Sequence, residues 1–208
     1  MTHTLHRQGS VESLEKDYVV FAMPSSGLNH QGSLEKLLKV YEIFMQYNPI
    51  NIGDSKSGSR YSLGSADAVR EVIQENELVH AVFNSRQTVL EVLKELKKED
   101  LGLSIVVSGL NDEVCQCVKD AGLDPHTVAQ SLGIWGRTDL LPKPKILEIA
   151  TMCGHGLVSY QLISELADQV AKGKITAEEA GRQLAKPCIC GVYNPERAAS
   201  LIRELTDL

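Results

Sequence analysis

The sequence predicts an α/β protein: a small, mostly parallel sheet with flanking helices, followed by an all-helical C-terminal region. Three observations predict it. Short apolar runs alternate with amphipathic helical stretches as far as Gly122, the pattern of layered β-α units. Those runs are bounded by charge, Gly or Pro, as strands are. After Pro144 only helical periodicity remains.

The first strand is predicted at residues 18–23, a continuous apolar run between Asp17 and Pro24. A helix follows, capped by Ser33, with Leu34, Leu37, Leu38, Tyr41 and Met45 on one face and Asn48-Pro49 as its stop. Residues 51–64 hold no apolar period and read as a Gly/Ser-rich loop, with room for a fourth strand within 50–63. Ser65 caps a second helix through Val69, Val72 and Ile73. Residues 78–83 form the second strand. A third helix, capped by Asn84 or Ser85, carries Val89, Leu90, Val92, Leu93 and Leu96. Residues 101–108 form the third strand, and Asn111 opens a helix with Val114, Cys117, Val118 and Ala121 facing inward.

Residues 123–144 then hold three prolines and the only Trp, and read as a connector. Helices are expected at 145–152 and 157–172, the latter stopped by Gly173. Another starts at the Thr176-x-x-Glu179 capping box and ends before Pro187. The last starts at Asn194-Pro195, a cap residue with Pro at the first helical position. The chain thus divides into an N-terminal arm (1–16), an α/β domain (17–122), the connector (123–144) and a helical Cys/His-containing region (145–208).

Composition narrows the function classes. The chain has 208 residues, 43% hydrophobic and 23% charged, enough to bury a core without disulfides. Its net charge of −6 leaves no basic excess to follow a phosphate backbone, so no nucleic-acid partner is expected. No apolar run has the length of a signal core or a membrane span, so no membrane partner is expected and the predicted compartment is the cytoplasm. Thiols stay reduced there, and five cysteines is an odd count for a disulfide framework. The cysteines therefore read as ligands, nucleophiles or core residues.

The main candidate site joins Cys153-Gly-His155-Gly to Cys188-Ile-Cys190-Gly. Each patch is a corner between two predicted helices, and the intervening helical hairpin can bring the corners together. Glycine at each corner lets backbone approach closely or take positive φ. Three thiols and one imidazole suit tetrahedral zinc or an iron–sulfur cluster. The spacing matches neither the usual zinc signatures nor the dense cysteine run of ferredoxins. Two other readings stay open: a redox or nucleophilic pair at Cys188 and Cys190 activated by His155, and cysteines that only fill core. Cys115 and Cys117 lie two apart on a predicted helix and point in different directions. Cys117 falls on the apolar stripe, and either residue is a possible extra ligand.

Two polar loops are candidate ligand sites. Residues 53–65 offer flexible N–H groups, Lys56, Ser57, Ser59 and Arg60 to an anion, without a Walker or dinucleotide fingerprint. Asn29 and His30 leave the first strand. In a parallel sheet their turn would share one rim with 84–86 and 108–111, where open α/β sheets bind ligands. His3 and His6 lie in the arm, His80 in a strand and His126 in a turn. Three functions are compatible with this sequence: an iron–sulfur or zinc protein in redox or cofactor-linked metabolism, a sensor of a small molecule or phosphate with structural cysteines, or an assembly protein that forms homo-oligomers through its helical tail.

Overall fold

The computed structural model describes residues 4–207; His3 and the end of the chain at residue 208 fall outside them. Five strands form one sheet: β1 (Tyr18–Met23), β2 (Asn51–Asp54), β3 (Gly58–Ser59), β4 (Val79–Phe83) and β5 (Ser104–Ser108). The order is β3-β2-β4-β1-β5. Every neighbouring pair is antiparallel, which corrects the mostly parallel sheet expected from the alternation of strands and helices. The reason lies in the crossovers. α2 (Ser33–Gln46) returns the chain so that β1 and β2 run in the same direction, but not as neighbours, because β4 inserts between them. α5 (Arg86–Glu99) does the same for β4 and β5, with β1 in the gap. Two β-α-β units thus interleave, as in split β-α-β folds.

Strand alternation gives the sheet two apolar faces. Tyr18, Val20, Ala22, Ala81 and Phe83 pack with Leu37, Val40 and Phe44 of α2 and Val89, Val92 and Leu93 of α5. Val69 of α4 (Ala66–Val72) and Cys117 of α6 (Asn111–Asp120) complete that layer. The opposite face presents Val19, Phe21 and Val82 to the C-terminal helices. These are α7 (Pro144–Ala150), α8 (Tyr160–Ala171), α9 (Ala177–Ala185) and α10 (Pro195–Thr206). The result is a helix–sheet–helix sandwich in which the C-terminal region forms one whole layer.

Several caps follow the sequence. Ser65, Ser85, Thr176 and Asn194 each accept an N–H from the first turn of the helix they precede. Ser33 instead lies inside α2, behind Gly32, and its hydroxyl accepts the Asn76 N–H at 2.9 Å. Residues 123–143 contain only a 3-10 turn at Thr138–Leu140 and leave Leu132 and Trp135 more than four-fifths exposed, and Pro144 already opens α7. The N-terminal arm is not free: it contains a one-turn helix, α1 (Val11–Leu14), and is tied to the C-terminal layer. Among the described residues no helix is long and apolar enough to cross a membrane.

Candidate thiol and metal site

Both cysteine corners are turns at helix C-termini. After α7, the Cys153 N–H donates to the Ala150 carbonyl (3.1 Å) and the Gly156 N–H to the Cys153 carbonyl (3.0 Å). After α9, Cys188 N–H donates to Ala185 O (3.2 Å) and Gly191 N–H to Cys188 O (3.3 Å). The corners meet as the hairpin of α8 and α9 predicts. Cys188 Sγ lies 3.9 Å from Cys190 Sγ, and Cys190 Sγ lies 3.7 Å from His155 Nδ1. Cys188 also hydrogen-bonds Cys153. All three sulfurs are buried, whereas His155 is exposed at the outer side. The core-residue reading is right to that extent, since the thiols belong to the apolar layer under β1 and β4.

The sheet fixes the second corner through a contact between two glycines. A Cβ on Gly53 of β2 would stand 2.7 Å from the Cys190 carbonyl oxygen and 2.9 Å from Gly191 Cα. A Cβ on Gly191, whose φ is +76°, would stand 2.7 Å from Gly53 Cα. Only glycine on both sides allows this approach. His80 of β4, fully buried, sits opposite Gly53 in the sheet register and lies tilted against the Phe21 ring, 5.1 Å between centroids.

The N-terminal arm fixes both corners at once. The Arg7 guanidinium donates to the Met152 carbonyl (3.3 Å), just before Cys153, and to the Val192 carbonyl, two residues past Cys190. It also pairs with Asp17, which is itself paired with Arg197 at 2.9 Å. Asp17 is fully buried, and Arg7 and Arg197 nearly so. Asn194 adds a bond to Asp17 at 3.1 Å, and Arg197 binds Ser13 Oγ and Gln8 O. This network was invisible in the sequence, where Arg7 stands in a polar arm and Asn194 reads only as a cap.

Electrostatics separate Cys153 from Cys188. The hydrogen bond from the Cys188 thiol, assisted by the N–H groups of Leu157 and His155, lowers the Cys153 pKa to about 6 against the opposing effect of burial. Cys188 moves the other way: donating to Cys153 and bonding Cys190, in a dry setting, it holds its proton. Of these two, Cys153 is therefore the thiol that ionises first. Beside it lies a hollow of about 440 Å³, lined in part by His6, Thr151, Gly154, Ser159 and Tyr160.

Among the described residues no group of three or more His, Cys, Asp or Glu side chains is arranged to hold a metal ion as it stands. Two separations are known, 3.9 Å from Cys188 Sγ to Cys190 Sγ and 3.7 Å from Cys190 Sγ to His155 Nδ1. A tetrahedral zinc with Zn–S of ~2.3 Å and Zn–N of ~2.0 Å sets edges of about 3.8 Å between sulfurs and about 3.5 Å from sulfur to nitrogen.

The other candidates lie elsewhere. Cys117 is buried and raised in pKa by that burial, while Cys115 points outward toward Asn111 at 3.9 Å. Both sit on α6, which packs with α5 and β5 on the other side of the sheet from the Cys153 cluster. Asn29 and His30 close their own loop: Asn29 Oδ1 accepts the Ser25 N–H and His30 Nδ1 the Gly27 N–H at 2.9 Å. Because β1 runs against β4 and β5, that loop is at the opposite end of the sheet from 84–86 and 108–111, so the three turns share no rim. Lys56 pairs with Glu77, the Ser57 N–H binds Asp54 at 2.9 Å, Ser59 caps the one-turn helix α3 (Arg60–Leu63), and Arg60 donates to the Pro49 carbonyl at 2.6 Å. These polar groups are thus bonded within their own loop and to Glu77 and Pro49 beside it. Comparison with known proteins gives no match to this chain among family models, curated proteins or solved structures.

Proposed function

We propose that the chain is a metal-binding protein whose Cys153, His155, Cys188 and Cys190 hold one soft divalent ion of the zinc class. The observation that carries this reading is the pair of separations, 3.9 Å between Cys188 and Cys190 sulfurs and 3.7 Å from Cys190 to His155. They approach the edges of a single-ion tetrahedron. A 4Fe–4S cluster holds each thiolate on its own iron and needs them farther apart, so that cluster ranks below a single ion. Loading includes an adjustment that draws the Cys153 sulfur in, and Cys153 is the thiol readiest to lose its proton. Metal affinity then couples to the fold, because the ligands come from both ends of the α8–α9 hairpin.

A second reading is supported by the hollow and by the lowered pKa of Cys153. In it Cys153 is a reactive thiolate, and Cys188 keeps it charged without any metal. Elemental analysis of protein purified without air separates the two. One zinc per chain, lost in Cys188→Ser and Cys190→Ser, supports the metal centre. A metal-free protein whose stability ignores chelators, with Cys153 alkylated fastest, supports the thiolate.

A further inference from the structure

Cys188 and Cys190 flank a single residue, Ile189, in the turn that follows α9. The Gly191 N–H closes that turn on the Cys188 carbonyl at 3.3 Å. Ile189 is 44% exposed while both cysteines are buried, so the two thiols share the inner side of the turn. Their sulfurs lie 3.9 Å apart. At that separation the two sulfurs are in contact, with no atom between them. A turn brings the Cα atoms of residues two apart to about 5–6 Å, inside the about 4.4–6.8 Å that disulfides span. The sulfurs need to close by only about 1.9 Å from their 3.9 Å contact to form a bond of about 2.0 Å.

Two more observations bear on how that bond would form. His155 Nδ1 lies 3.7 Å from Cys190 Sγ, and the imidazole is exposed. It is a base placed between solvent and that thiol, and a thiol reacts as its thiolate. Burial selects the oxidant. Cys190 is 2% exposed and Cys188 0%. Sulfurs so enclosed exclude a bulky disulfide, whereas a small hydroperoxide can reach Cys190 past the imidazole.

We infer that Cys188 and Cys190 are a redox-active dithiol, oxidised by a small hydroperoxide to a reversible disulfide with His155 as the base. His155 accepts the Cys190 proton, and the thiolate attacks the terminal peroxide oxygen. The O–O bond breaks, and the other oxygen leaves with the proton from His155 as water or an alcohol. Cys190 is then a sulfenic acid. Cys188 Sγ attacks the Cys190 sulfur, the S–S bond forms and the S–O bond breaks. The departing hydroxide takes the Cys188 proton and leaves as water. The dithiol has lost two electrons and two protons, and the hydroperoxide has gained them. A dithiol reductant restores both thiols by exchange. No metal takes part in these steps, so the inference stands or falls apart from the proposed metal function.

The test treats the full chain, prepared without air and held in chelator, with stoichiometric hydrogen peroxide and maps its peptides by mass spectrometry. In wild type the peptide holding Cys188 and Cys190 is expected to become lighter by two hydrogens and to recover with dithiothreitol. Cys188→Ser is expected to stop at a Cys190 sulfenic acid, which dimedone traps. Cys188→Ala provides a second chain without the thiol if that variant does not fold. His155→Ala is expected to oxidise about 10-fold more slowly near pH 7, with the gap closing above about pH 9, where the thiol ionises unaided. A disulfide that includes Cys153, a Cys190 sulfinic acid without any disulfide in wild type, or a pair that stays reduced overturns the inference. An oxidation rate unchanged by His155→Ala near pH 7 overturns it too. Each of these results leaves the metal function to be decided by zinc content.

Discussion

Gly53→Ala is the substitution that most directly loads the contact between the sheet and the second cysteine corner. The added methyl would lie 2.7 Å from the Cys190 carbonyl oxygen, 2.8 Å from its carbon and 2.9 Å from Gly191 Cα. All three are backbone atoms, so no side-chain rotation relieves the overlap. Restoring ordinary contact at 3.4 Å takes a retreat of roughly 0.7 Å by one backbone or the other, and overpacking of this kind costs about 1–3 kcal/mol. With a urea slope near 2 kcal/mol/M, the unfolding midpoint falls by roughly 0.5–1.5 M at unchanged slope. The same retreat shifts Cys190 relative to His155, so on the proposed metal function zinc affinity should fall alongside stability. Urea denaturation and chelator competition on the same preparation read both effects. A variant within about 0.5 kcal/mol of wild type, the usual range for neutral substitutions, with unchanged zinc affinity would refute the claim that β2 sets the position of this corner.

Asp17→Asn leaves Arg7 and Arg197 buried without their shared carboxylate. Breaking a buried pair typically costs about 3–5 kcal/mol, and calorimetry should show a correspondingly lower melting temperature. A loss under 1 kcal/mol would mean that the arm does not clamp the corners. For Cys153, whose pKa is lowered to about 6 in the metal-free fold, alkylation should rise with pH through that value. Since the folded chain holds fewer protons there than the unfolded one, stability should climb from about pH 6 to the ordinary thiol range near 9. It is lost again as pH falls through 6. Cys188, shifted upward, acts in the opposite sense only above that range. Cys153→Ser should flatten the climb, and a wild-type profile already flat between these limits would contradict the assignment.

The sequence discloses elements better than their arrangement. β1, β4 and β5 stand where apolar runs lie, and Ser65, Ser85, Thr176 and Asn194 cap as their neighbours require. The parallel sheet fails because periodicity records that β4 and β5 are joined by a helix, not that β1 fills the space between them. β2 itself is four residues containing Gly53, too short and too plain to show a period. Its glycine is explained only by Cys190 and Gly191, more than 130 residues away. The Cys/His corners were legible because helix patterns on both sides fixed where they had to be. Arg7 and Asp17 were not, because single charges in an arm carry no pattern, and their meaning comes from a buried network closed by distant Arg197.

Cobalt titration of the metal-free protein, made without air, tests the central claim most directly, since cobalt reports ligand type and geometry through its visible spectrum. The account predicts one cobalt per chain in a tetrahedral site with intense sulfur-to-cobalt charge transfer. Cys188→Ser and Cys190→Ser should abolish that signal, His155→Ala should weaken binding, and zinc should displace the cobalt. A spectrum without charge transfer, or one indifferent to both cysteine substitutions, would contradict it.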